Sequence, residues 1–125
     1  MICLLAGSVI TSLMTGAITL AWTHSVEKIV WEEDWRSGPA GLELVEARVR
    51  GSGAGMEPPP EAKLTHGVWS WKPNLPPQVQ VIMRRSGATA DWRICIAGQC
   101  RPMEAYVPPE ADPIVMKVCE GAGRP

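Results

Sequence analysis

Phenylalanine is absent from this chain and tyrosine occurs once, so the aromatic bulk of any core must come from its six tryptophans. Residues 1–23 contain no Asp, Glu, Lys or Arg. Elsewhere the two signs of charge are interspersed, and the formal net charge is −1. That balance excludes the basic footprint of a nucleic-acid binder and the charge blocks of a disordered tail. No window of ten or more residues carries clean helical periodicity. Only two histidines occur, and there is no HExxH, no paired histidine and no CxxC. No metal or cofactor is expected.

What is present is punctuation. Twelve prolines and twelve glycines cluster at MEPPPEA, KPNLPPQ, YVPPEADP and GAGRP, between short apolar runs. The 125 residues suffice for one domain with one core. Many short strands joined by turns predict a single all-β domain over 1–125, a β-sandwich or a small, partly open barrel of eight or nine antiparallel strands. The uncharged N-terminal run admits two readings. It is long enough to span a bilayer. Yet no Lys or Arg precedes it, and Gly7, Gly16 and five Ser or Thr residues break it into ICLLA, SVITSL and AITLAW, which read as strands. The missing n-region points to the cytoplasm, with a periplasmic or membrane-associated location as the alternative.

The clearest hairpin covers residues 27–50. EKIVWEEDWR places Ile29, Trp31 and Trp35 on one face, SGPAG turns, and LELVEARVR returns. VWSW and QVQVIMR read as further strands, ADWRICIAGQCRPM as a second hairpin, and PIVMKVC as a last strand able to pair with the N-terminus. GSGAGMEPPPEA reads as an irregular surface connection.

Candidate chemistry gathers on the first hairpin. His24 lies three residues before Glu27, followed by Lys28, Glu32, Glu33 and Asp34. In an unbroken strand positions 24 and 27 point to opposite faces; a bulge near Ser25–Val26 would bring them together. The alternative is a strand-end histidine beside solvated acids. An enzyme would use His24 with Glu27 or Glu46. Glu46, Arg48 and Arg50 share a face opposite the acids, where cross-strand ion pairs set register. The functional alternative is a groove in which Arg48 grips a small carboxylate between Trp31 and Trp35. The GSGAGM run, with Gly53, lacks the GxGxxG or GK[ST] spacing of a phosphate loop. Its continuation through Glu57 into three prolines is stiff and extended, an edge that a partner could read.

Four cysteines remain. An Ala97-Gly98 turn would set Cys95 opposite Cys100 in a non-hydrogen-bonded pair, with Cα atoms about 4.5–5.5 Å apart and within disulfide reach. Cys3 and Cys119 would form a second bridge if the terminal strands are neighbours. Packed, reduced thiols are the alternative.

The blocks WTHSVEK and EEDW, then LVEARVRGSGAGMEPPPEA, then RRSGATADWRICIAGQCRPM, resemble the bacterial and archaeal family called domain of unknown function 1850, from about Ile2 to Met103. Members have no established activity. Their genes commonly lie beside those of tripartite ATP-independent periplasmic (TRAP) transporters of the TAXI type, which import small organic acids. The resemblance therefore implies an accessory or interaction protein of such a transporter, docking on its permease or solute receptor. It singles out His24, Glu27, Lys28, Glu32, Glu33, Glu46, Arg48 and the GSGAGMEPPP loop as shared positions. It carries no catalytic residues.

Overall fold

The computed structural model describes residues 1–23, 29–50, 58–85 and 91–119. His24, Glu27, Lys28, Gly53 and Glu57, and the expected bulge at Ser25–Val26, lie outside the described residues. Along the chain run β1 (Ile2–Ala6), β2 (Val9–Ser12), β3 (Ala17–Thr23), β4 (Val30–Gly38) and β5 (Gly41–Arg50). They are followed by β6 (Lys63–Thr65), β7 (Val68–Trp71), β8 (Gln80–Met83), β9 (Arg93–Ile96), β10 (Gln99–Pro102) and β11 (Ile114–Val118). A 3-10 turn, Met103–Ala105, lies between β10 and β11.

Two antiparallel sheets form an open sandwich. The smaller has the order β2-β1-β11-β8 and the larger β10-β9-β3-β4-β5-β7-β6. Among the described residues eleven strands stand where eight or nine were expected, partly because Lys63–Thr65 hides in a polar stretch; all three of its residues are exposed on a sheet edge. The uncharged N-terminal run is strand. Ile2 and Leu4 are fully buried, and β1 sits inside its sheet between β2 and β11. Among the described residues no helix is long and apolar enough to cross a membrane.

The core lies between the sheets. Ile2, Leu4, Met83, Ile114 and Met116 from the small sheet meet Ile18, Leu20, Trp35, Leu42 and Ile94 from the large one. Burying a Leu or Ile side chain contributes about 1.5–3 kcal/mol, so this cluster is what holds two sheets in register against chain entropy. Both expected hairpins are present. In the first, Gly38 pairs with Gly41 across a Pro39-Ala40 loop. Gly41 sits at φ +130°, and a Cβ there would lie 2.5 Å from the carbonyl oxygen of Gln78, which bridges back to Leu42. Only glycine permits that approach.

One irregularity shapes everything that follows. Asp34 pairs with Glu46 but Trp35 pairs with Leu44, leaving Val45 as the extra residue of a bulge in β5. Before the bulge Leu42 and Leu44 face the core. After it Ala47 and Val49 do, and Glu46 and Arg48 turn outward.

Candidate functional site

Directly opposed residues in a sheet share a face. On the outer face of the large sheet, Cys100, Cys95, Thr19, Asp34 and Glu46 therefore form one row, and Arg93, Ala21, Glu32 and Arg48 the next. Arg48 reaches three carboxylates from this position. Its Nη1 and Nη2 donate to the two oxygens of Asp34 at 2.7 and 2.8 Å, Nη1 also donates to Glu46 at 2.7 Å, and Nε donates to Glu32 at 3.1 Å. Thr19 donates to Asp34 at 2.6 Å. These bonds, with Arg48 first, hold the Asp34 carboxyl below its ordinary value, while its carboxylates raise Arg48. A shallow concavity of about 600 Å³ lies over the cluster, with the Cys95–Cys100 bridge on its rim.

The expected carboxylate groove would have to form over this cluster. The guanidinium fork is already filled by this chain's own acids, and a further carboxylate would meet surplus negative charge. Trp31 does not line this concavity, and Trp35, which contributes to its lining, is 4% exposed and belongs to the core cluster. Ion pairing, the alternative drawn from the sequence, is what the cluster does; Glu46 belongs to it, bonded to Arg48.

Glu33 does not join the other acids. It pairs with Leu20 and Ala47, which are 1% and 4% exposed, and so faces inward. Trp35 Nε1 donates to its Oε1 at 3.1 Å. Burial pushes its carboxyl up from the ordinary value, and the Trp35 bond offsets only part of that shift. Around it the tryptophans gather: Trp22 stacks on Trp31 at 6.1 Å, Trp22 meets Trp92 at 4.9 Å, and Trp31 meets Trp71 edge-on at 6.1 Å. Trp31 Nε1 is buried and has no hydrogen-bond partner among the described residues. Runs of acidic letters gave no sign that one of them turns inward; strict alternation from Trp31 and Trp35 was the signal that could have found it.

The small sheet presents a different surface. Ile10 pairs with Leu5, Leu5 with Val115, and Val115 with Ile82, so one aliphatic row crosses all four strands on the face away from the core. Ile10 is 68% exposed and Ile82 55%. A cleft of about 670 Å³ adjoins the row at Leu5 and Val115, with Glu110 and Asp112 on its wall. No sequence pattern announced the row, because its members come from four separate strands.

Both cysteine pairs are bridged. Cys95 faces Cys100 across a turn in which Ala97 and Gly98 have φ of +51° and +84°, as the two-residue turn requires. Their Cα atoms are 3.9 Å apart, closer than expected from unbridged strands. Cys3 joins Cys119 at 5.8 Å, because β1 and β11 are neighbours. No group of three or more metal-binding side chains occurs among the described residues.

Two packed antiparallel sheets, an internally paired ion cluster and an exposed aliphatic row define an all-β sandwich domain. The chain belongs to the family described as Domain of unknown function (DUF1850), whose model matches residues 18–103. The match starts later than the resemblance from Ile2 suggested; it takes in the large sheet from Ile18 onward and β8, while β1, β2 and β11 lie outside it. No curated protein and no solved structure matches this chain.

Proposed function

We propose that this protein is an interaction module that docks on a membrane solute transporter of the TRAP type, at its permease or its solute receptor, through the outer face of the four-stranded sheet. The aliphatic row Ile10–Leu5–Val115–Ile82 carries the reading. Isolated exposed aliphatic residues need no explanation, but a contiguous row across a whole sheet marks a contact surface. Its neighbours support a specific rather than a greasy contact: Lys117 and Gln80 follow in the next register row, and Glu110 lines the adjoining cleft. The transporter itself comes from the family resemblance and its gene neighbourhood. Arg48, spent on three internal carboxylates, speaks for a surface that binds by shape rather than by capturing an organic acid.

Co-expression with a TRAP permease and its solute receptor from the same organism, followed by affinity co-purification, tests the reading. The wild-type chain should retain one of the two. The Ile10→Asp, Ile82→Asp double variant should lose it by about tenfold or more while melting normally. Equal retention of both proteins, or retention of neither component, sinks the proposal.

A further inference from the structure

The two bridges differ in what can reach them. Cys3 is 3% exposed, and its strand is flanked on both sides by β2 and β11. The Cys95–Cys100 bridge stands on the rim of the concavity over the large sheet, and both of its cysteines line that concavity. All four residues of β10 are exposed, Cys100 among them, as are Ala97 and Gly98 of the turn. Cys95 is half-buried, so a nucleophile arriving from solvent meets Cys100 first.

Register decides what else can lie beside Cys100. Behind a two-residue turn, Ile96 and Gln99 exchange the first backbone hydrogen bonds, so Cys95 and Cys100 form the next, non-hydrogen-bonded pair. The N–H and C=O of Cys100 then point away from β9, toward the outer edge of the sheet. β10 is the last strand on that side, and among the described residues no backbone group bonds to its outer edge. An extended segment added there would bond to Cys100 through both groups. Its residue directly opposite would place its side chain on the same face, next to Cys100 Sγ. Cys95 Sγ would lie on the far side. A cysteine at that opposite position completes a row of three sulfurs, in which the attacking and leaving atoms flank the one attacked. β9 is held independently of the bridge, by pairing of Ile94 and Cys95 with Leu20 and Thr19 and by the burial of Ile94.

We propose that Cys95–Cys100 is a thiol–disulfide exchange site for a cysteine-containing polypeptide that pairs in extended form with the outer edge of β10. A thiolate of the partner attacks Cys100 Sγ and forms a mixed disulfide. The Cys95–Cys100 bond breaks, and Cys95 Sγ leaves as a thiolate that takes a proton from water. A second thiolate of the partner then attacks the partner's own sulfur in the mixed disulfide. The partner departs as a disulfide, Cys100 Sγ leaves as a thiolate that is protonated in turn, and two electrons have passed to the bridge. The same steps in reverse, with a partner disulfide, re-form it. The site does not depend on the docking proposed for the small sheet.

Incubation of the intact, oxidised protein with a blocked seven-residue peptide, one central cysteine among valines and threonines, tests the inference. Acid quenching, alkylation and mass-spectrometric mapping read the products. The peptide should be found on Cys100 at least about tenfold more often than on Cys95, with Cys3–Cys119 intact. The same peptide N-methylated at its cysteine cannot donate to the Cys100 carbonyl. It should react at least about tenfold more slowly, near the rate of reduced glutathione. A two-cysteine version should be released as its disulfide, leaving Cys95 and Cys100 both alkylated. Adduct mainly on Cys95, equal rates for the parent and N-methylated peptides, or no exchange at all overturns the proposal. So does opening of Cys3–Cys119 as fast as Cys95–Cys100.

Discussion

Glu33 and Asp34 are adjacent in the chain and opposite in their titration. Glu33 faces inward, where burial raises its carboxyl above the ordinary 4.5. The folded state then binds this proton more tightly than the unfolded chain does. Its contribution to stability is fully present below the unfolded value and is lost as pH rises through the raised folded value. Asp34 faces outward into the Arg48 fork, which lowers it from 3.8. Its contribution is present above the unfolded value and is lost as pH falls through the lowered folded one. Glu33→Gln should therefore stabilise the protein at pH 7 by roughly 0.5–1 kcal/mol, since an amide avoids the desolvated charge. Asp34→Asn should destabilise it at pH 7 by about 1–3 kcal/mol, toward the low end because the side chain is 33% exposed. Thermal melts at pH 7 and pH 3 separate the two, and both differences should shrink in acid. A Glu33→Gln protein that melts lower at pH 7 would contradict the inward placement.

The β9–β10 hairpin joins turn chemistry to a covalent bond. Its turn needs positive φ at both central residues, and alanine at 97 accepts φ +51° against the steric preference of an L-residue. Asparagine visits that region more readily, and Asn-Gly is the preferred pair for this turn. Ala97→Asn should add about 1 kcal/mol in urea unfolding with an unchanged m-value. A loss of stability would mean that the Ala97 methyl group makes a contact worth more than the backbone strain. On β5 the decisive feature is Val45, which has no partner on β4 and reverses the phase of every residue after it. Without the bulge, Leu42 and Val49 would point to opposite faces; with it, both are 0% exposed.

The two bridges act on very different loops. Cys95 and Cys100 are 5 positions apart, whereas Cys3 and Cys119 are 116 apart and link the ends of the described chain. In the chain-entropy model the short closure restricts the unfolded ensemble by only about 2 kcal/mol and the long one by nearly 5 kcal/mol. Cys3→Ser with Cys119→Ser should therefore lower stability clearly more than Cys95→Ser with Cys100→Ser, as read from denaturant midpoints. Equal losses would place the stabilisation in the folded packing instead. Arg85 performs a related task without covalent bonds. Its guanidinium pairs with Asp91 and donates to the carbonyls of Pro108 and Ala111, pinning two connections onto the end of the sandwich.

Much of this architecture follows from local chemistry. Alternation in LELVEARVR, the breakers in SGPAG and the Ala97-Gly98 turn are properties of a few adjacent residues, so strands, hairpins and the Cys95–Cys100 pairing were legible without a fold. The same holds for the cross-strand ion pairs of Arg48, which need only the first hairpin and its facing charges. What the chain alone left open depended on contacts between distant segments. Whether residues 1–23 form strands was decided by distant partners: β11 pairs with β1 and brings Cys3 to Cys119, and β9 pairs with β3. Which face Glu33 occupies was decided by the second sheet, because only a core on one side gives alternation an inside and an outside. The aliphatic row exists because four strands from separate parts of the chain align in register. Side-chain period and turn geometry act over neighbouring residues, whereas burial and shared surfaces arise only when the sheets meet.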